Sequence, residues 1–331
     1  MIVFRLPSPV YRNLNIRVEE LIPEQDAPNC NLCGSSEAKE LMRKHQHRIV
    51  QCVRCGLVFV SPRLTAEYLK EKIYDSEYFS AARGYGLTDH LGRGKMEIRR
   101  RAAAIIDRIE KKSPRGNLLD VGCAGGFFLD AARERGWNTK GVEISSFAAA
   151  FARENLKLDV FEGEVTNAPF PNASFDVVTL LDVIEHMPDP SASLRRIYDL
   201  IKPGCWLYVV TPNFDSIPRR ILGANWGIIT PEHHLYFFTA YTLRQMITNS
   251  GFKIYRVFYP ALGIADLLLS VGTLQRIGIP VTTEKKLSLR KYLGGTRNAI
   301  RSAVNMFDEK ILKPFLPGAQ GVAIHLLAQK Q

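Results

Sequence analysis

Beyond residue 116 the chain alternates short runs of aliphatic, β-branched and aromatic residues with stretches at helical spacing. The runs fall at 117–122, 139–143, 158–162, 175–181, 206–211, 253–259 and 321–328. This rhythm predicts an α/β fold with a mostly parallel sheet, whose ligands bind at the carboxyl ends of the strands. Upstream, residues 64–82 read as a helix with an aromatic stripe of Tyr68, Tyr74, Tyr78 and Phe79, expected to pack between the N-terminal segment and the main domain. Residues 83–95 are glycine-rich and read as a loop, a basic helix follows at about 96–112, and residues 113–116 mark a boundary. The expected organisation is an N-terminal segment over 1–63, a helical connector over 64–116 and a main domain over 117–331. Within the last, residues 261–318 form an insertion of two or three helices between the sixth and seventh strands. It carries an apolar stripe (Ile264, Leu267, Leu268, Val271, Leu274), then positive charge from Lys285 to Lys313.

Composition narrows the class. At 46% hydrophobic residues the 331-residue chain has material for a large core, which excludes disorder as the main state. Six cysteines are too sparse for a disulfide-stapled miniprotein. The longest apolar stretches reach roughly a dozen residues, against the roughly 20 needed to span a bilayer, and the start shows no signal-peptide core. The expectation is a soluble, cytoplasmic protein. The net charge of +11 suggests nucleic acid, but its distribution does not. Residues 1–115 carry 21 basic and 14 acidic groups, residues 116–260 carry 13 and 15, and residues 261–331 carry 10 and 4.

Four cysteines fall in two pairs, Cys30-x-x-Cys33 and Cys52-x-x-Cys55, each followed by glycine (Gly34, Gly56). Two knuckles at this separation suit tetrahedral Zn(II) in a small ribbon, and four thiolates leave no open coordination position, so the metal is expected to be structural. His45 and His47 between the knuckles read as turn residues rather than ligands.

The first strand runs into Asp120-Val-Gly122-Cys123-Ala124-Gly125-Gly126, a turn that lets a ligand approach backbone N–H groups. Glu143 ends the second strand, where an acid can accept both hydroxyls of a ribose. Two adenosine-containing ligands compete, a dinucleotide and S-adenosylmethionine (SAM). Acids at or just beyond four successive strand ends (Asp120, Glu143, Glu164, Asp182) are unsuited to a pyrophosphate and favour a cationic ligand such as SAM.

With these residues in view, the region from 117 to 260 together with the final strand resembles the class I SAM-dependent methyltransferases. Residues 118–129 resemble the family's first motif, with Ala124 where glycine is usual. Residues 163–165 resemble the segment that meets the adenine, 170–178 the approach to strand four, 181–186 the segment lining the methionine end, and 201–204 the turn before strand five. The resemblance implies a seven-stranded Rossmann-like sheet in which SAM is held by Asp120, Gly122, Cys123, Ala124, Gly126, Glu143, Ile144, Glu164, Val165, Leu181 and Asp182. A ribbon joined to such a domain is also similar to a bacterial group associated with polysaccharide or sugar biosynthesis.

Methyl transfer to oxygen benefits from a general base. His186, His233 and His234 are the candidates, and His234 lies in a segment similar to one on the acceptor side of related enzymes. Asp182-x-x-Glu185-His186 also resembles a pattern by which some quinone-type O-methyltransferases bind a divalent ion. The Asn/Asp-Pro-Pro-aromatic motif of base N-methylation is missing after strand four, and neither Cys123 nor Cys205 is placed for nucleophilic attack. The expected reaction is therefore O-methylation of a sugar, glycan precursor or related small anionic metabolite. A nucleotide- or lipid-linked sugar, and peripheral contact of the basic insertion with an anionic membrane, fit the flanking charge. RNA methylation, with ribbon and basic flanks gripping phosphates, is the alternative.

Overall fold

The computed structural model describes residues 25–74, 78–79, 93–260 and 321–331, without the side chains of 93–97 and 221. The N-terminal part contains β1 (Gln25–Asp26), β2 (Ala38–Lys44), β3 (His47–Cys52), β4 (Val58–Val60), β5 (Arg63–Leu64) and a short α1 (Ala66–Tyr68) that widens into a π turn over Leu69–Ile73. After α2 (Arg93–Glu110) the chain alternates through β6 (Asn117–Val121), α3 (Phe127–Glu134), β7 (Asn138–Glu143), α4 (Ser146–Leu156) and β8 (Asp159–Glu162). It continues through β9 (Phe175–Leu181), α5 (Pro190–Leu200), β10 (Ile201–Pro212), α6 (Ile217–Leu222), β11 (Tyr236–Phe237), α7 (Ala240–Asn249), β12 (Phe252–Phe258) and β13 (Ala323–Lys330).

Seven of these strands form one mixed sheet in the order β12-β13-β10-β9-β6-β7-β8. All neighbours from β10 to β8 are parallel, and β13 runs antiparallel to both β10 and β12. This is the seven-stranded Rossmann-like sheet the sequence leads one to expect. Two apolar clusters cover it, one around Leu119, Val178, Leu207 and Ile197, the other around Leu118, Val177, Leu129 and Ile106. Burial on both sides explains why the central strands are nearly continuous in Leu and Val. The chain moves from β6 to β7 and β8 in one direction, then crosses back to β9 and β10. The crevice above the carboxyl ends of β6 and β9 is therefore the topological switch point, where ligands bind in open α/β sheets.

A second sheet has the order β11-β4-β3-β2. Three of its strands belong to the cysteine-bearing segment, and the fourth comes from residues 236–237 of the main domain. The segment is therefore stitched to the main domain by a backbone ladder. Arg63, 6% exposed, reinforces the seam. Its guanidinium donates to Tyr236 Oη (2.8 Å) and to the Pro188 carbonyl (3.0 Å) and pairs with Asp26 (3.3 Å).

Several local expectations change. The helix expected over 64–82 stops at Ile73, because Tyr74 leaves helical geometry (φ −90°, ψ 40°) and its carbonyl is bound from another element, by Ser145. Tyr78 and Phe79 sit in a turn. The basic helix starts at Arg93, inside the stretch expected to be loop. The fifth strand includes the turn-like 201–204, accommodated by a register shift between Ile201 and Trp206. The insertion at 261–318 and most of the loop at 83–95 lie outside the described residues. Among those described, no helix is long and apolar enough to cross a membrane.

Candidate active site and metal centre

The loop after β6 is shaped by backbone demands. Gly122 has φ +73°, and a Cβ there would lie 2.3 Å from Val183 Cγ2. Gly126 has φ +81° and caps α3, where a Cβ would lie 2.4 Å from Leu158 Cδ1. Ala124 also takes a left-handed φ of 47°. Its N–H donates to Glu143 Oε2 (2.7 Å), while Glu143 Oε1 accepts from the Ser145 N–H (2.9 Å). Burial raises the Glu143 carboxyl and these backbone donors oppose the rise. Glu143 thus buttresses the glycine loop at the end of β7, where a ribose would be met. Asp120 is 3% exposed and accepts from Thr179 Oγ1 (2.6 Å), and burial, aided by the charge of Glu143, pushes its carboxyl up to about 7. Cys123 sends its thiol into the core below the loop and donates its N–H to the Val142 carbonyl. Ile144 and Leu181 are half-buried, Val165 is buried, and Glu164 and Asp182 are exposed. Asp182 has φ +56° and pairs with Arg101 (3.3 Å).

Beyond β9 a 3-10 turn, Ile184–His186, points polar groups at the loop 230–235. Glu185 is 2% exposed. Its Oε2 accepts from Thr211 Oγ1 (2.9 Å), and its Oε1 meets no hydrogen-bond partner among the described residues. Burial, with the charge of Asp182 adding to it, lifts this carboxyl to about 8. The rings of His186 and His233 stack at 5.5 Å and 6°, and His234 stands edge-on to His186 at 4.6 Å. His234 Nδ1 lies 2.7 Å from the Ile228 carbonyl, so that nitrogen carries the proton and Nε2 keeps a free lone pair. Burial lowers the His234 imidazole to about 4, and burial with the neighbouring histidines also holds His186 well below the usual range. Ligand atoms of Glu185, His186 and His234 come within 4.8 Å of one another, close enough to share one acceptor hydroxyl or one divalent ion. His234 takes the place the sequence pattern suggested for Asp182, whose carboxylate is engaged by Arg101 instead.

The two cysteine knuckles converge. Cys30 Sγ and Cys55 Sγ are 3.4 Å apart, Cys33 Sγ and Cys52 Sγ 3.5 Å, and all four lie within 4.8 Å. Those separations are far beyond a disulfide bond and match the edges of a tetrahedron with Zn–S near 2.3 Å. Burial raises Cys30 to about 11, whereas at Cys52 burial is outweighed by backbone and thiol hydrogen bonds, which bring it down to about 7. A divalent metal favours deprotonation of all four. His45 lies apart from the sulfurs, bonded to Glu232 (2.5 Å).

The three histidines singled out in the sequence are therefore neighbours, and Glu143, read from the sequence as a ribose acceptor, also meets the glycine loop. Tyr74 and Arg63 belong to this site as well. Tyr74 Oη lies 3.2 Å from His186 Nδ1, and Arg63 holds the loop at Pro188. The aromatic stripe is the signal for Tyr74, but periodicity alone makes it a packing residue.

Residues 95–257 match the family described as "Methyltransferase domain", so the chain carries a methyltransferase domain over that span. Two curated relatives, each named ubiquinone biosynthesis O-methyltransferase, come from Albidiferax ferrireducens and Psychrobacter arcticus. The first is 36% identical over 119 residues (33% of this chain, 47% of the relative), the second 30% identical over 156 residues (41% and 58%). The chain thus spans about half the length of the curated relatives it matches. A solved SAM-dependent methyltransferase from Archaeoglobus fulgidus aligns with 74% of this chain and 99% of its own length, at 20% identity and a TM-score of 0.49.

Proposed function

We propose that the protein is a SAM-dependent O-methyltransferase acting on the hydroxyl of a small molecule, with structural Zn(II) on Cys30, Cys33, Cys52 and Cys55. The observation that carries this reading is the meeting of His186, His234 and a Glu185 Oε1 left without a partner among the described residues, just beyond β9 and next to the glycine loop braced by Glu143. Bound SAM would supply an electrophilic methyl group on a sulfonium. The glycine loop and Glu143 would hold its ribose end, and the acidic strand ends suit its positive charge. His234 is buried, neutral and tethered through Nδ1, so Nε2 is free to take the proton of the acceptor hydroxyl as that oxygen bonds the methyl carbon. Glu185 Oε1 is placed to orient the same hydroxyl.

A sugar, glycan precursor or other small anionic metabolite is the acceptor class we favour, on the basic flanks of the chain and the resemblance of its organisation to a sugar-associated group. We place the protein in the cytoplasm, with the basic insertion suited to an anionic membrane surface. The test is calorimetry with SAM, then transfer of labelled methyl to a panel of a nucleotide sugar, a catechol and a structured RNA. A working acceptor should lose about 100-fold or more in kcat with His234→Gln while SAM affinity is kept. Absence of SAM binding defeats the reading, and methylation of RNA alone replaces its acceptor.

A further inference from the structure

Tyr74 touches both halves of the site. Its carbonyl accepts from Ser145 Oγ (2.8 Å), and Ser145 caps α4 two residues after Glu143. Its hydroxyl meets His186 Nδ1 (3.2 Å), and its ring stands edge-on to His186 and to Tyr78. It lies outside residues 95–257 and is delivered from the ribbon side. Thr65 caps the helical turn after β5, and the Tyr74 N–H bonds the Leu69 carbonyl five residues back (3.0 Å). Such a π turn holds an extra residue and so rotates the downstream residues by about 100° relative to a regular helix. Here that rotation accompanies the arrival of Tyr74 at His186.

We propose that Tyr74 is a positioning residue that fixes the tautomer and orientation of His186 and ties them to the cofactor loop through Ser145, an inference that rests on the methyl-transfer reading above. A neutral imidazole has one donor and one acceptor nitrogen. With the ring proton on Nε2, the His186 Nδ1 lone pair faces the Tyr74 hydroxyl. Nδ1 then accepts from the Tyr74 O–H. Burial keeps that phenol protonated, as a donor must be. With Nδ1 engaged by Tyr74 and Nε2 protonated, His186 has no lone pair to offer, which removes it as the base and leaves the part to His234. The His186 ring instead holds its stack on His233 and its edge contact to His234.

The full-length, zinc-loaded chain labelled with ¹⁵N-histidine tests this by long-range ¹H–¹⁵N spectra, with His186 assigned through His186→Gln. The expected wild-type signal is the Nε2–H tautomer with Nδ1 shifted upfield by an accepted hydrogen bond. In Tyr74→Phe, which keeps the ring, the other tautomer should gain population and draw the Nδ1 and Nε2 shifts towards each other. Adding S-adenosylhomocysteine should perturb His186 in the wild type and less in Tyr74→Phe. Identical His186 signals in the two proteins overturn the proposal. If Tyr74→Phe does not fold, the wild-type spectrum decides alone, since an unbonded Nδ1 is equally fatal. Calorimetry of S-adenosylhomocysteine with the wild type is scored separately, so failure of cofactor binding is told apart from failure of the Tyr74–His186 link.

Discussion

Phe59 of the cysteine-bearing segment and Tyr236 of the main domain are antiparallel sheet partners. The ladder continues through the Val60 N–H to the Leu235 carbonyl (2.9 Å), and the Leu235 N–H bonds the Glu185 carbonyl (2.8 Å). A short path of backbone hydrogen bonds thus runs from the ribbon to the polar cluster beyond β9. The ribbon sheet serves as part of the wall of the site, which links the integrity of the knuckles to the placement of His234 and Glu185.

Metal content is the first consequence. Reduced, freshly prepared protein should contain one zinc per chain, and Cys52→Ser should lose it. Structural zinc typically contributes on the order of 10 kcal/mol to the folding of such small modules, so the ribbon should unfold without it. The seven-stranded sheet, with its own core, should still melt cooperatively at higher temperature. Full zinc occupancy in Cys52→Ser by plasma mass spectrometry would rule out the four-thiolate site.

Arg63 is the next test of the seam. Replacing it with Ala strips a buried charged donor from the Tyr236 hydroxyl and the Pro188 carbonyl, a loss of about 2–3 kcal/mol. Denaturant melts should report that loss, and Arg63→Lys should recover only part of it, because one ammonium cannot reproduce the planar fork. Equal stability of Arg63→Ala and wild type contradicts the role.

The glycine loop offers a pair of opposite effects. Ala124 has a left-handed φ that costs an L-residue about 1–2 kcal/mol, partly offset in Ala124→Gly by the greater entropy of the unfolded chain. Ala124→Gly should therefore be more stable by about 0.5–1 kcal/mol. Gly122→Ala should be less stable by about 1–3 kcal/mol through its clash with Val183, and Val183→Ala in the same chain should recover part of that. A lower melting temperature for Ala124→Gly, or no rescue by Val183→Ala, counts against this account.

Acid sensitivity should trace partly to His325 on β13, whose Nδ1 lies 2.9 Å from Tyr208 Oη. Burial, with Arg108 and Arg101 nearby, lowers it to about 3. Because the folded value lies below the unfolded value near 6.5, its contribution is fully present above pH 6.5. It is lost as the pH falls from 6.5 towards 3, by an amount on the order of 2–4 kcal/mol. Asp120, raised to about 7, acts in the opposite direction, since its contribution is lost as the pH rises from near 4 to 7. His325→Gln should flatten the acid limb of a stability-versus-pH curve. An unchanged limb removes His325 as the cause.

The sequence by itself determined the seven strands to within a few residues, the glycine loop with Glu143 and the two cysteine knuckles. Each is a local pattern: strand composition, a turn that requires positive φ, or paired thiols at fixed spacing. It also named His186, His233 and His234, which lie close together along the chain or follow successive strands, and it favoured His234 among them. Only the tertiary structure decided that Asp182 turns away to Arg101 while His234 joins Glu185, and that Tyr236 completes the ribbon sheet. It also brought Tyr74, 112 residues before His186, to that imidazole. These relationships depend on contacts between distant segments, and hydrophobic periodicity records only which face of an element is buried, not what it is buried against.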